Sequence, residues 1–429
     1  MGSTFSVHAR KLAWTAVGAT LALVLLIPAS AGASPSYQVV VSGLDNPRGL
    51  SFSADGKLYV AEAGHAGDVC FAGEPGPEGG PTCVGLTSSI SRVNVRAGSR
   101  SPFIDGLLSL GGPAFAIGAT GVSVQGNRVF GLLGGNRIGI PPPEACAGAT
   151  DPDGNPLADN TACAQILAAA HEQLGGLLRA APTGAFVWKA DVGSFNYQWT
   201  IDNKDTIPLP GWSDNPDFQP GDSNPYGLAS GPGGSYVVDG GSNTLTRVRP
   251  NGAMSVVAAL PNPDPAHANA YDAVPTCVAP VGKGVVIADL NGRIFWVDGS
   301  TMYPEPLNIT GASLIAAGGC AYDGEGNVYI SDIFGGNVLK LSLWSRQLSV
   351  VAEGLNFPTG VAVARDGKVY VANNGVCPSF PLPIPECPGT GEVVRLNRLE
   401  ADDDDHHDDG DHHGNDHHEG TRRVEDQLH

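Results

Sequence analysis

The chain has 429 residues, with 59 glycines, 34 prolines and 8 cysteines, and a formal net charge of -19 at pH 7. An acidic balance argues against nucleic acid or an anionic membrane surface as a partner. The Gly and Pro content suits a turn-rich β architecture.

The first 33 residues read as a targeting segment. Arg10 and Lys11 close a short basic region, an apolar run follows from Leu12 to Ile27, and Pro28 breaks it. Ala29-Ser30-Ala31 and Ala31-Gly32-Ala33 supply small-residue cleavage sites. The run falls short of the roughly 18–20 apolar residues of a membrane span. A cleaved signal peptide is therefore expected, with a secreted or extracytoplasmic protein and no stable membrane insertion; an uncleaved anchor is the alternative.

Export makes the cysteines legible, because an oxidising compartment favours disulfides. They fall in four sequential pairs: Cys70/Cys83, Cys146/Cys163, Cys277/Cys320 and Cys377/Cys387. Eight cysteines allow 105 connectivities, and nearest-neighbour pairing is the expectation.

Residues 34–399 carry a repeat. Gln38–Glu62 (QVVVSGLDNPRGLSFSADGKLYVAE) and Ser349–Asn373 (SVVAEGLNFPTGVAVARDGKVYVAN) align without a gap at opposite ends of the chain. Recurrence of one unit at both ends points to a closed ring. The unit alternates short apolar strands with Gly-rich turns, and four strands per unit, a to d from the axis outwards, is the geometry of a propeller blade. The strand-b landmark recurs at Tyr59–Glu62, Phe130–Leu133, Tyr236–Asp239, Val286–Asp289, Tyr329–Asp332 and Tyr370–Asn373. The predicted fold is an all-β, six-bladed β-propeller with a degenerate second blade; seven blades is the alternative. Tyr37–Val41 matches an outermost strand but precedes the first complete blade, so it should pair with the last one and close the ring. Cys277 and Cys320 each lie nine residues before their landmarks, Val286 and Tyr329. They are thus expected to staple adjacent inner strands, with two buried thiols as the alternative.

Departures from a minimal unit fall in two loop classes that emerge on one face. Between strands b and c lie Ala63–Ser89, Gly134–Leu174 and Asn374–Thr390, each with one cysteine pair; before a new strand a lie Asp191–Asn224 and Pro261–Val274. Long insertions on one side of a rigid scaffold are a usual location of function. One short inserted helix is predicted over Thr161–Leu174, capped by Asp159 or Asn160, with His171 half-buried on its surface. Asp151–Asp159 spaces oxygen ligands like the start of a calcium loop. It has Pro156 at the position where that loop needs Gly and Ala162 where it needs Glu, so a plain Asp-Gly turn is favoured.

Strand b ends in Glu62, Asp239, Asp289 and Asp332, with Asn373 in the sixth blade. These are expected to ring the channel mouth beside Arg48, Tyr226, Thr276 and Thr359, which open strand a and are the candidate ligand-binding residues. Converging carboxylates could hold Ca or Mg through oxygen ligands or supply an acid/base pair; alternatively each bonds the backbone of its own turn. Glu62 with His65 is the best acid/base pair on offer. Only His65, His171 and His267 lie in the body outside the tail, and neither a G-x-S-x-G sequence nor a free cysteine suggests nucleophilic catalysis.

Glu400–His429 is a separate object, with twelve acids against Arg422 and Arg423 and no apolar residue from Asp402 to Gly420. Disorder is expected there. Three histidine pairs, His406 with His407, His412 with His413, and His417 with His418, could bind Zn, Ni or Cu.

The run VVVSGLDNPRGLSFSADGKLYVAEAG resembles NHL and SMP-30-like six-bladed propellers. Together with Cys70 and Cys83, LGGLLRAAP and NPYGLASGPGGSYVVDGGSNTLTRV, it resembles the ScyD/ScyE family of secreted bacterial propellers over residues 36–398. The resemblance implies an exported propeller, associated in cyanobacteria with maturation of an extracellular sunscreen pigment, and assigns no active site. SMP-30-type lactonases place a metal-ligating Asn before the strand-a glycine, where this chain has Arg48, Tyr226 and Thr359. The histidine-centred site of streptogramin lyases has no counterpart. The expected function is that of a monomeric propeller binding or scaffolding an extracellular small molecule, polymer or protein on its elaborated face. The alternatives are a metal-assisted hydrolase or lyase at the channel mouth, and metal binding by the tail.

Overall fold

A computed structural model describes residues 36–72, 81–112, 115–138, 140–209, 221–263, 272–299, 301–376 and 391–397. Six sheets, antiparallel but for the short parallel pairing of Thr310–Gly311 with Gln347–Ala352, succeed one another around an axis. Their innermost strands, a, are Pro47–Phe52, Ala119–Gln125, Pro225–Gly231, Pro275–Val281, Ala317–Tyr322 and Val361–Val363. Strands b are Leu58–Glu62, Arg128–Leu133, Gly234–Asp239, Gly284–Asp289, Asn327–Asp332 and Val369–Asn373. Every predicted landmark thus lies on the second strand of its blade, including the degenerate second one.

The inner strands are sandwiched between neighbouring blades, which explains their near-continuous apolar sequences. Leu58–Glu62, Gly284–Asp289 and Val369–Asn373 are buried at every position. Strands buried on both faces do not need the polar/apolar alternation of a half-exposed sheet. Close approach at the axis requires glycine: a Cβ on Gly360 would lie 2.1 Å from the Arg48 carbonyl oxygen. The buried apolar side chains form clusters spanning adjacent blades, such as Val286, Ala288 and Trp296 with Ile330, Leu339 and Leu341.

Ring closure follows the sequence expectation. Tyr37–Leu44 pairs antiparallel with Gly391–Leu396, from Tyr37↔Leu396 to Leu44↔Gly391. The first strand thereby becomes the outermost strand of the last blade.

Each residue that follows strand b donates its N–H to the loop preceding strand a of the same blade. The six bonds run from Ala63 to Asn46, Gly134 to Gly118, Gly240 to Asn224, Leu290 to Val274, Ile333 to Ala316 and Asn374 to Asn356, at 2.7–3.1 Å. Both loop classes therefore share one face, here called the insertion face. On the opposite turn face, connections such as Ser53–Lys57 and Ala364–Lys368 are closed by two backbone bonds each.

Three of the expected disulfides form: Cys70–Cys83, Cys146–Cys163 and Cys277–Cys320, the last with a Cα–Cα distance of 5.2 Å. Cys277 and Cys320 lie on strands a of blades four and five, so the expected staple replaces the two-thiol alternative. Cys377 and Cys387, the targeting segment and His267 lie outside the described residues. So do the expected metal-binding histidines of the tail, His406, His407, His412, His413, His417 and His418.

The insertions of blades one and two build a second small core. Cys70 and Thr150 exchange two backbone hydrogen bonds, at 2.8 and 2.9 Å. Val69 and Val84 pack with Cys146, Ala149, Cys163 and Leu167. The predicted helix spans Asn160–Gln173 with Asp159 as its cap, and Gln173 Oε1 accepts from Leu108 N of blade one at 2.8 Å.

The expectation of a single inserted helix needs correction. Val192–Asn203 forms a second α-helix and Pro143–Gly148 a 3₁₀ turn. The second helix escapes an apolar-periodicity search because its buried face is Val192, Gly193, Asn196 and Thr200, which is half polar. Polar pairing holds it down: Asn196 Nδ2 donates to Asp239 at 2.8 Å, and Thr246 Oγ1 donates to Asn196 Oδ1 at 2.6 Å.

Candidate functional site at the ring axis

Strand a opens at the axis, and one residue per blade projects there. Arg48, Thr120, Tyr226, Thr276, Gly318 and Thr359 together line an axial cavity with about 410 Å³ of empty space, part of it continuous with solvent. All four predicted ligand-binding residues are thus brought together. Thr120 and Gly318 complete the ring. Thr120 was detectable, since Ala119-Thr120-Gly121-Val122 repeats Pro358-Thr359-Gly360-Val361 apart from its first residue.

The ring alternates in chemistry. The even blades carry threonines, and each donates its hydroxyl to the first carbonyl of the next blade's strand a. Thr120 Oγ1 reaches Pro225 O at 3.2 Å, Thr276 Oγ1 reaches Ala317 O at 2.6 Å, and Thr359 Oγ1 reaches Pro47 O at 2.7 Å. These are seam bonds between blades, and they use up the hydroxyl hydrogens. The odd blades carry Arg48, Tyr226 and Gly318.

Arg48 is 6% exposed. Its Nη2 donates to Ala116 O at 3.2 Å, while its Nε is buried without a hydrogen-bond partner. No carboxylate lies within ion-pair distance of Arg48 among the described residues. Tyr226 is half-buried.

The strand-b carboxylates do not face this cavity. Strand b is second from the axis, so its last side chain turns back into its own blade. Glu62, Asp239, Asp289 and Asp332 are all fully buried. Asp239 accepts from Asn196 Nδ2, Ser223 Oγ and the N–H groups of Asn224, Gly241 and Ser242. Asp332 accepts from the N–H groups of Ile315, Ala316 and Gly335 at 3.0–3.1 Å. Asp289 binds Arg293 through backbone and guanidinium, the nearest ion-pair contact being 2.6 Å. Glu62 accepts from Asp45 N at 2.7 Å and from Ser91 Oγ, with Arg100 at 3.6 Å. Asn373 replaces the acid in blade six, accepting from Asn356 N at 2.8 Å. Asp239 and Asp332 thus clamp the loop before strand a to the turn after strand b, Asp289 holds the following turn alone, and Glu62 and Asn373 hold the preceding loop and strand c.

Burial pushes the Glu62 carboxyl above its ordinary range, with Ser91, the Asp45 N–H and Arg100 acting against the shift. Burial likewise raises Asp289, opposed by Arg293. Glu62 and His65 are not paired: the His65 ring, on an exposed loop, contacts the Asp45 carboxylate instead. His171 sits in the last turn of its helix. Asp151 caps a turn by accepting from Asn155 N at 2.8 Å, and the calcium-like stretch is thus an Asp-Gly turn. Among the described residues, no three His, Cys, Asp or Glu side chains are grouped so as to hold a metal ion.

No protein-family profile matches the chain, and no curated protein matches it by sequence. Solved structures do resemble it. A putative oxidoreductase (glucose dehydrogenase) from Thermus thermophilus is 16% identical, covering 84% of this chain and 99% of its own with a TM-score of 0.45. The PQQ-bound aldose sugar dehydrogenase of Streptomyces coelicolor is 14% identical over 84% of this chain and 96% of its own, TM-score 0.44. Virginiamycin B lyase from Staphylococcus aureus is 11% identical over 84% of this chain and 100% of its own, TM-score 0.42. These likenesses carry nothing about activity; the propeller stands on its own strand pairing.

Proposed function

We propose that the protein is a binding propeller, exported as its targeting segment and disulfides suggest, whose axial cavity on the insertion face receives part of an extracellular ligand. The observation that carries this reading is the contrast between two columns of residues. The carboxylates that could do acid/base work are buried and bonded within their own blades, whereas Arg48, which lines the axial cavity with Tyr226, keeps an unpaired donor. A rigid scaffold, a concave axial pocket and few convergent polar groups suit binding. A small molecule, or the end of a polymer or of a protein segment, would fit that description.

A thermal-shift screen of neutral, anionic and cationic aromatic and aliphatic compounds tests the reading. It expects hits whose shifts are lost on Tyr226→Ala, a change that leaves the seam bonds in place. Hits unaffected by every change at Arg48, Tyr226 and Thr276 would move binding away from the axis. A second, separable reading rests on the paired tail histidines, which support Zn, Ni or Cu binding outside the ring. Equilibrium dialysis should show that capacity disappearing when residues 401–429 are deleted.

A further inference from the structure

We infer that the axial cavity takes the carboxylate of a small organic acid, with Arg48 pairing the anion and Tyr226 donating a second hydrogen bond. The inference rests on the binding reading above and narrows it to one ligand chemistry.

Donors come first. The hydrogens of Thr120, Thr276 and Thr359 are committed to carbonyls of the neighbouring blades. Gly318 contributes no side chain. Of the six ring positions, only Arg48 and Tyr226 can therefore donate to a guest. A guanidinium has five N–H donors, and among the described residues that of Arg48 meets one carbonyl, Ala116 O. Its buried Nε has none. An unpaired buried charge is costly to the fold, and an anion is the guest that removes the cost.

Charge decides how much anion. Among the described residues the axis holds one cation and no acid within ion-pair distance of it, so a monoanion neutralises it. A dianion would leave excess negative charge against the seam carbonyls Pro225 O, Ala317 O and Pro47 O. The planar guanidinium fork matches a carboxylate. The lining decides what the carboxylate is attached to. Leu50, Val122, Leu228, Val278 and Val361 also face the cavity. An apolar body can rest against them, and inorganic phosphate has no such body.

Thermal unfolding of the disulfide-intact protein, at constant ionic strength, is measured with sodium formate, acetate, benzoate and phosphate, and with neutral benzamide. The inference expects a saturable rise in Tm with the carboxylates, largest for benzoate, and a smaller one with phosphate. In Arg48→Met the apparent benzoate affinity should fall at least tenfold. In Arg48→Lys, which keeps the charge and guards against a folding defect, part of it should return. Tyr226→Phe should weaken benzoate a few-fold without abolishing it. Equal benzoate responses in the wild type and Arg48→Met would overturn the inference, as would no response to any carboxylate or an equal response to phosphate. If benzamide and benzoate bind alike and both are lost on Tyr226→Ala, axial binding stands and the anion assignment falls. If neither the screen nor the carboxylates give a hit that depends on the axis, both fall.

Discussion

Two columns of the same repeat behave in opposite ways. The column at the end of strand b is nearly uniform, an acid in four blades and Asn373 in a fifth, and each of these is buried and bonded within its own blade. The column at the start of strand a varies, with arginine, tyrosine, glycine and three threonines, and lines the axial cavity. A side chain kept in most blades answers a demand that most blades make, here the holding of the loops beside it. Where the blades diverge at a position facing shared space, the divergence is what a ligand could recognise. In this ring, uniformity marks architecture and asymmetry marks the candidate site.

The sharpest way to break that contrast is to remove a clamp. Asp239→Ala orphans Asn196, Ser223 and three backbone N–H groups, and should cost about 3–5 kcal/mol, since each buried donor left unsatisfied costs about 1–3 kcal/mol before relaxation. Urea unfolding measures it, and a loss under about 1 kcal/mol would mean the clamp is dispensable. Replacing Cys277 and Cys320 together with serine should cost about 2–4 kcal/mol, read by the same titration under non-reducing conditions. Thr276→Val strips the Ala317 carbonyl of its donor and should cost about 1 kcal/mol. Arg48→Met should lie within about 1 kcal/mol of wild type, because the lost carbonyl bond is offset by release of an unpaired buried charge. A large destabilisation there would place Arg48 with the clamps.

A pH series refines the same comparison. The folded-state pKa of Glu62 is raised, so its contribution favours folding below the ordinary carboxylate range and is lost as pH rises through the raised value. Glu62→Gln should flatten that part of the stability profile, making the variant relatively more stable as pH climbs from about 4.5 towards neutrality. His65→Ala, which removes a half-exposed ring beside Asp45, should change stability by no more than about 0.5 kcal/mol.

Much of the fold was legible because its signals are local and repeated. The strand-b landmark survives even in blade two as Phe130-Gly131-Leu132-Leu133, where both tyrosine and acid are gone, since only burial between blades is required. The Cys277–Cys320 pair was legible because equal spacing from two landmarks implies equal height on neighbouring strands. The helix Val192–Asn203 was not, because Asn196 and Thr200 anchor it by hydrogen bonds that no hydropathy pattern reports. The site was half legible. Arg48, Tyr226, Thr276 and Thr359 follow from their place before the inner strand, but the turn of the strand-b carboxylates back into their own blades is set by bonds to residues such as Asp45, Asn196 and Ile315, which no spacing reports. The value of Arg48 lies in a partner it lacks, and sequence does not show that.

The seam between the first and last strands has a further consequence. Tyr37–Leu44 runs towards the insertion face and Gly391–Leu396 runs away from it, so the described ring begins and ends on the turn face. There Asn397 N donates to Ser36 O at 2.9 Å. Entrance and exit of the described ring are thus side by side on its turn face. A surface, label or fusion partner joined directly at Ser36 or Asn397 would grip the same pole, and the opposite pole, with its cavity and insertions, would be displayed outward in both cases.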